Sequence, residues 1–264
     1  MHTTLRVLIW AKTYPELSAR HAETVRTGGL REDGTPVRLY PVPLRYLGTD
    51  QQYSLYDWID VPAERNLSDP RPESFKVIGD EIRHVGHVGT EHGAWRTRLA
   101  LVTKDSTWQF DSVGALKRAQ ADSGRSFGLV TPGAVDAVHL RRRPDSERAA
   151  HEAKLAAIQS QADFFRPEYK DLEFPDHDII LHWRCRERCS ECRNGPHKMK
   201  VMDWGLLQLA RKQGWSAAKT HLESLSDLAT HDVRLFLGNF RLRLKTFGII
   251  GLWYPKRRAQ LDLL

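Results

Sequence analysis

The sequence has few cysteines, and all of them lie close together. The 264 residues include three cysteines, which fall between positions 185 and 192. Disulfide frameworks of small secreted proteins use an even number of cysteines spread along the chain. The pattern therefore argues against a disulfide framework and leaves the thiols available for a metal ion.

A hydrophobic run long enough to cross a membrane is also missing. A spanning helix needs about 20 consecutive apolar residues. The longest apolar stretch, FGIIGLWY at 247–254, has only the length of a strand. The N-terminus lacks the basic segment and small-residue cleavage site of a signal peptide. We expect a cytoplasmic protein that does not bind membranes.

Acidic residues are fewer than basic ones. The chain has 33 Asp and Glu against 40 Lys and Arg, which gives a net charge of +7, and no acidic residue occurs from 233 to 261. A basic balance favours polyanionic partners, although soluble proteins can be basic without binding nucleic acid. A hydrophobic content of 41% and a charged content of 28% are ordinary for a globular protein and argue against disorder throughout.

Several common catalytic patterns are absent from the sequence. There is no Gly-rich phosphate loop, no Gly-x-Ser-x-Gly motif and no dinucleotide-binding fingerprint. Zinc deaminases of nucleobases combine His-x-Glu with Pro-Cys-x2-Cys. Here no proline precedes Cys189, and neither His92 nor His151 begins a His-x-Glu element. The motifs therefore assign no reaction.

The patterns that are present predict an α+β protein in three parts. Residues 1–110 contain short apolar runs separated by turn signals, which indicates a β-rich, barrel-like module. Residues 111–170 are predicted to be a mainly helical connector, with Gly124 ending its first helix. Residues 171–264 are predicted to be a metal-binding α/β module with basic C-terminal strands. Its helices at 203–214 and 216–231 would be capped by Asp203 and Ser216.

The cysteines have the spacing of metal ligands. Cys189 and Cys192 are two residues apart, and a tight turn directs such a pair at one ion. Cys185 can join them from the end of the preceding strand. We predict His197 as the fourth ligand, because Asn-Gly-Pro at 194–196 lets the chain fold back, with His182 as the alternative. Zn²⁺ is the expected ion and an iron–sulfur cluster the alternative.

Basic residues around the cysteines and near the C-terminus are candidate contacts for the phosphates of DNA or RNA. Alternation in RLRLK at 241–245 predicts that its three cations share one face, and Trp253 and Tyr254 could stack on bases. The predicted contacts are Arg184, Arg186, Arg188, Arg241, Arg243, Lys245, Lys256, Arg257 and Arg258.

An enzyme acting on nucleic acid or nucleotides is the alternative hypothesis. Its candidate catalytic residues are Arg71 and Glu73 in the loop DPRPES at 69–74, together with Lys12 and Tyr14. The same loop is also compatible with a turn held by salt bridges. A third reading is an interaction protein in which the metal only stabilises the fold. The sequence does not set the oligomeric state.

Short phrases throughout the chain resemble an uncharacterised family of bacterial and phage-associated proteins of similar length. The resemblance rests on AKTYPELS, ETVRTGGL, VRLYPVPLR, DPRPES, MDWG, LFLGN and FGIIGLWYP. It implies a setting in phage defence or mobile-element biology and brings no established activity. In that family the residue after Asp-Trp is often acidic, whereas Gly205 stands here.

Overall fold

The computed structural model describes residues 3–18, 21–79, 81–90, 95–160, 170–187 and 189–257. Its described strands form two sheets of seven strands each, and five α-helices accompany them. The protein is therefore of the α+β class, as the sequence predicts.

The first sheet closes into a barrel. Its strands are β1 (Thr3–Lys12), β2 (Glu16–Ser18), β3 (Ala22–Leu30), β4 (Pro36–Val42), β5 (Asp57–Arg65), β6 (Ser74–Val77) and β7 (Arg83–His87). The pairing runs β1–β3–β4–β6–β5, and β5 returns to pair with β1, which makes five strands the wall of the barrel. β2 pairs with β3, and β7 pairs with β5 outside this ring. The predicted barrel-like N-terminal module is confirmed.

The second sheet has the order β10–β11–β12–β14–β13–β9–β8. The barrel is followed by α1 (Arg96–Val102), β8 (Gln109–Phe110), α2 (Val113–Ser123), β9 (Phe127–Val130), β10 (Pro132–Arg142), α3 (Asp145–Ser160), β11 (His177–Cys185), β12 (His197–Val201), α4 (Trp204–Gln213), α5 (Trp215–Leu225), β13 (Arg234–Phe240) and β14 (Arg243–Trp253). Apolar residues of α4 and α5, such as Leu206 and Leu222, share one core with Leu181 and Trp183 of β11. This core covers one face of β11, and the other face carries Asp178, His182 and Arg184 together with the buried Ile180.

Two sides of β1 are buried, and this explains its continuous apolar run. Val7 and Ile9 belong to the core inside the barrel. Leu8 and Trp10 alternate with them and pack with residues of the second sheet. The Trp10 ring stacks on Phe236 with centroids 4.6 Å apart and meets Phe127 edge-on at 5.3 Å. This shared aromatic core fixes the barrel against the second sheet.

The helix caps and ends predicted from the sequence are correct for α2 and α4 and wrong for α5. Asp203 accepts a hydrogen bond from the Leu206 amide at 2.9 Å and caps α4, and Gly124 ends α2 with a φ of 73°. Ser216 is not the cap of α5, because that helix already begins at Trp215 after Gly214. The helix ends at Leu225, so its predicted extension to 231 is wrong.

Residues 111–170 contain strands as well as helices. β9 and β10 are part of the second sheet, and they alternate with α2 and α3 along the chain. A polar, alanine-rich run at 145–165 also predicts a helix; α3 covers its first sixteen residues, and positions 161–165 lie outside the described residues. The three-part division of the chain stays a prediction.

Candidate metal centre

Three thiols and one imidazole meet at one end of β11. The Sγ atoms of Cys185, Cys189 and Cys192 and a ring nitrogen of His197 all lie within 4.8 Å of one another. Cys189 Sγ is 3.4 Å from Cys192 Sγ and 3.7 Å from Cys185 Sγ. His197 Nε2 is 3.2 Å from Cys185 Sγ and 2.9 Å from Cys192 Sγ. The four groups form a Cys3His cluster that can bind a metal ion.

The separations match the edges of a tetrahedron around one ion. Zn–S bonds of about 2.3 Å and Zn–N bonds of about 2.0 Å place two sulfurs roughly 3.8 Å apart and a sulfur and a nitrogen roughly 3.5 Å apart. The sulfur separations of 3.4 and 3.7 Å are close to this value. The nitrogen–sulfur separations of 3.2 and 2.9 Å are somewhat shorter, so these side chains would move apart slightly around an ion.

Three adjacent elements bring the ligands together. Cys185 is the last residue of β11, Cys192 ends a short 3₁₀ turn over Ser190–Cys192, and His197 is the first residue of β12. β11 and β12 are antiparallel neighbours, and Trp183 lies opposite His197 in their register. The sheet therefore fixes two ligands, while the connecting turn supplies the other two.

The N-terminus of α2 also points at the cluster, which sequence reasoning missed. The Val113 amide, at the first position of α2, donates to Cys185 Sγ at 3.3 Å. The Gly114 amide donates a hydrogen bond to Cys189. Free amides at a helix N-terminus favour negative charge, so they stabilise thiolates. The only sequence signal was Ser112, which caps this helix through the Ala115 amide.

Burial shifts the pKa values of two of the candidate ligands, His197 and Cys185. It lowers the pKa of His197, which favours the neutral imidazole that metals bind. It raises the pKa of the Cys185 thiol, an effect that a bound cation reverses. Both side chains are almost fully enclosed, with exposed fractions of 9% and 8%.

His182, the alternative ligand, is not part of the cluster. It stands three residues before Cys185 on β11, and alternation along a strand places the two side chains on opposite faces. Its ring lies against that of His139 of β10, with centroids 4.2 Å apart and the planes tilted by 42°.

The DPRPES loop is buried and internally paired. Arg71 Nε donates to Asp69 Oδ1 at 2.9 Å, and Ser74 Oγ donates to Asp69 Oδ2 at the same distance. Glu73 does not pair with Arg71; its oxygens accept from Ser126 N at 3.0 Å and Ser126 Oγ at 2.8 Å. These bonds tie the barrel to the second sheet. A catalytic role for Arg71 or Glu73 stays a prediction.

The structure separates the other two catalytic candidates. Lys12 Nζ donates to the Tyr53 carbonyl at 2.8 Å, and burial lowers the pKa of Lys12 to about 8. Tyr14 lines a cavity between the barrel and the second sheet and donates to the Glu173 carbonyl at 3.0 Å. Arg71 lines the same cavity, whereas Lys12 and Glu73 do not.

The predicted phosphate contacts fall into separate groups. Arg184 and Arg186 are exposed beside the metal centre. Arg241 lies in the turn between β13 and β14, so it does not share a strand face with Arg243 and Lys245, which are exposed on β14. The predicted row of three is therefore wrong. Arg188 and Arg258 lie outside the described residues.

The C-terminal candidates have mixed surroundings. Lys256 and Arg257 are exposed, but Arg257 Nε donates to the Leu228 carbonyl at 3.0 Å and the His231 carbonyl at 3.1 Å. Trp253 is 1% exposed and belongs to the shared aromatic core, so it cannot stack on a base.

The fold and the cluster define a two-sheet α+β protein with a candidate Cys3His metal centre. A family model described as a domain of unknown function (DUF8758) matches residues 3–104, and a second such model (DUF8757) matches residues 108–264. The chain belongs to the DUF8757 family, whose model covers more than half of it, and the resemblance to an uncharacterised family is confirmed. No curated protein matches the sequence. Within the described part of the chain, no helix is long and apolar enough to cross a membrane.

Proposed function

We propose that this protein binds nucleic acid through the polar face of its second sheet and that a zinc ion in the Cys3His cluster stabilises that sheet. The observation that carries the proposal is an excess of cations on this face. Arg141, Arg143 and Lys200 all contact one carboxylate, Asp178, at 2.6 to 2.8 Å. Glu147 acts on Lys200 from farther away, so two negative charges stand against these three positive ones and the face keeps a positive charge that phosphates can offset.

Further cations extend this charge toward the metal centre. The register places Lys198 of β12 opposite His182 of β11, and Arg184 follows on the same face of β11. Lys198 and Arg184 are both exposed, and Arg184 is paired with Asp136 at 3.0 Å. We call the surface formed by Arg141, Arg143, Lys200, Lys198 and Arg184 the basic sheet face.

Zinc suits the cluster because all four donors come from the protein. A closed set of three thiolates and one imidazole is typical of structural zinc, whereas catalytic zinc keeps one position for water. The sulfurs are also spaced for a single ion, since an iron–sulfur cluster holds its thiolates on different iron atoms and farther apart. In this site the ion would join the end of β11 to the start of β12, next to Arg184 and Arg186.

Metal analysis with an absorption spectrum tests the metal half of the proposal. One zinc per chain and a colourless solution are expected. A brown protein with absorption near about 400 nm would contradict it, because thiolate-bound iron–sulfur centres absorb there.

Binding across a salt series tests the nucleic-acid half. Affinity for duplex DNA or RNA should fall steeply with salt, and Lys198→Ala should reduce the slope of log K against log salt by about 1. Lys212→Ala is the matched control, because it removes the same charge from α4, which packs on the opposite face. Equal effects of the two variants, or negligible binding at low salt, would contradict the proposal. A role in phage defence stays a prediction based on the resemblance.

A further inference from the structure

A cavity of about 480 Å³ lies between the barrel and the second sheet. Its wall includes residues of β3 and β4 from the barrel, of β12 and β13 from the second sheet, and of helix α3. The volume falls within the range of about 300 to 1,000 Å³ that small-molecule sites occupy. The cavity is therefore large enough to enclose an organic ligand.

The wall of this cavity is strongly basic. Seven of its lining residues are Arg or Lys, whereas two are Glu. Some of these cations have carboxylate partners, as Arg26 has in Glu16 and Arg71 has in Asp69. Among the described residues, no carboxylate lies within 4.0 Å of a cationic nitrogen of Arg38, Lys154 or Arg241. The cavity therefore has an excess of positive charge. Arg38 supplies it from β4, Lys154 from α3 and Arg241 from the turn after β13.

Arg38 is the most deeply buried of these cations. Its side chain is 4% exposed, its guanidinium lies over the Phe127 ring at 4.0 Å, and its Nη2 donates to Ser126 Oγ at 3.2 Å. Its buried Nε has no hydrogen-bond partner. Burial, together with the nearby charge of Arg71, lowers the pKa of Arg38 to about 9. Glu73 and Asp69 act on Arg38 in the opposite direction, and Glu73 shares Ser126 Oγ with it, but neither carboxylate forms a direct ion pair with its guanidinium. The buried cation is therefore only partly compensated, and an anion in the cavity would offset the remaining cost.

The remaining wall suits an organic group rather than a bare anion. Leu17, Phe174, Phe240 and Ile250 line the cavity beside the cations. Apolar walls with a few convergent charged groups are typical of small-molecule sites. The combination favours a ligand with an anionic end and a hydrophobic or aromatic body.

We propose that this cavity binds a phosphate ester of about nucleotide size. Arg38, Lys154 and Arg241 compensate the charge of the phosphate, and the apolar wall contacts the organic group. The cavity meets the basic sheet face at Arg143 and Lys200, which belong to both, whereas Arg38, Lys154 and Arg241 belong to the cavity alone. A free nucleotide and the phosphorylated end of a nucleic-acid strand both offer this chemistry.

Calorimetry with AMP, inorganic phosphate and adenosine tests the proposal on the full chain. AMP should bind, inorganic phosphate should compete with it, and adenosine should bind at least about tenfold more weakly than AMP because it lacks the charge-assisted contacts. Arg241→Ala and Lys154→Ala should each weaken AMP binding about tenfold. Both side chains are exposed at the cavity rim, so their loss leaves the fold intact, which a thermal melt checks.

Arg243→Ala is the matched control for Arg241→Ala. Arg243 is exposed two residues farther along the chain but does not line the cavity. Equal effects of the two variants on AMP binding, or AMP binding no tighter than that of adenosine, would overturn the proposal.

Two short oligonucleotides identify the source of the phosphate. If a 5′-phosphorylated strand displaces AMP and its 5′-hydroxyl counterpart does not, the ligand is a nucleic-acid end. If neither strand displaces AMP, the ligand is a free nucleotide. A duplex with 5′-hydroxyl ends reports on the basic sheet face alone, so its failure to bind would leave the cavity site standing.

Discussion

The sharpest test of the metal centre compares two histidines. His197→Ala removes one of the four proposed ligands, whereas His182→Ala makes the same change on the opposite face of the same pair of strands. We expect the first variant to lose zinc and stability and the second to keep both.

The size of the effect follows from binding linkage. Removing a group that only supports a metal ligand lowers affinity about 10- to 100-fold, so loss of a ligand itself should cost at least about 100-fold. This corresponds to about 3 kcal/mol of stability at saturating metal. For a chain of this size that is a fall in Tm of roughly 6 to 12 °C. His182 is half-buried and contacts His139, so its replacement should cost less than about 1 kcal/mol.

Thermal unfolding with and without a chelator, together with zinc content, measures both variants. The chelator should lower the Tm of the unaltered protein and of His182→Ala and should barely change that of His197→Ala. If His182→Ala loses zinc while His197→Ala keeps it, or if the chelator leaves the unaltered protein unchanged, the assignment of ligands is refuted.

Three further predictions concern the fold. Burial raises the pKa of Asp203 to about 6, above its value of about 4 in the unfolded chain. Stability should therefore fall as the pH rises from about 4 to 6, and Asp203→Asn, which keeps a capping oxygen, should remove this dependence in denaturant titrations. Arg71→Met should lower the free energy of unfolding by about 3 to 5 kcal/mol, because it leaves the buried Asp69 carboxylate without its cation. Adding Asp69→Asn should restore part of this loss. An unchanged Tm of Arg71→Met would contradict the structural role and favour a catalytic one. Gly28→Ala should lower the free energy of unfolding by about 1 to 3 kcal/mol in the same titrations, because the added Cβ would lie 2.9 Å from the buried Trp10 ring. An unchanged free energy of unfolding would show that the ring can shift.

Local patterns made part of this structure predictable. The Cys-x2-Cys pair and the Asn-Gly-Pro turn identify ligands that lie within 13 residues of one another, so chain geometry alone nearly determines their meeting. Alternation along β11 also excludes His182, because strand residues three apart point to opposite faces. Short strands separated by turns indicated the barrel in the same way.

The cavity was not predictable, because its cations come from distant parts of the chain. Arg38 lies on β4, Lys154 on α3 and Arg241 after β13, and no local pattern relates them. Trp253 shows the same limit: its neighbours suggest an exposed basic strand, but packing against the barrel buries it. In both cases tertiary packing, rather than sequence spacing, decides what the residue does.

The shared aromatic core makes the two segments matched by family models, residues 3–104 and 108–264, depend on each other. Trp10 and Leu8 face Phe127 and Phe236 across the boundary between them, so either segment alone would expose a large apolar surface. We expect residues 1–104 produced alone to aggregate, which light scattering would detect, whereas a monodisperse barrel would show that the segment can stand by itself. A gene rearrangement that separated the segments would leave two insoluble fragments, so selection should keep them together as one reading frame.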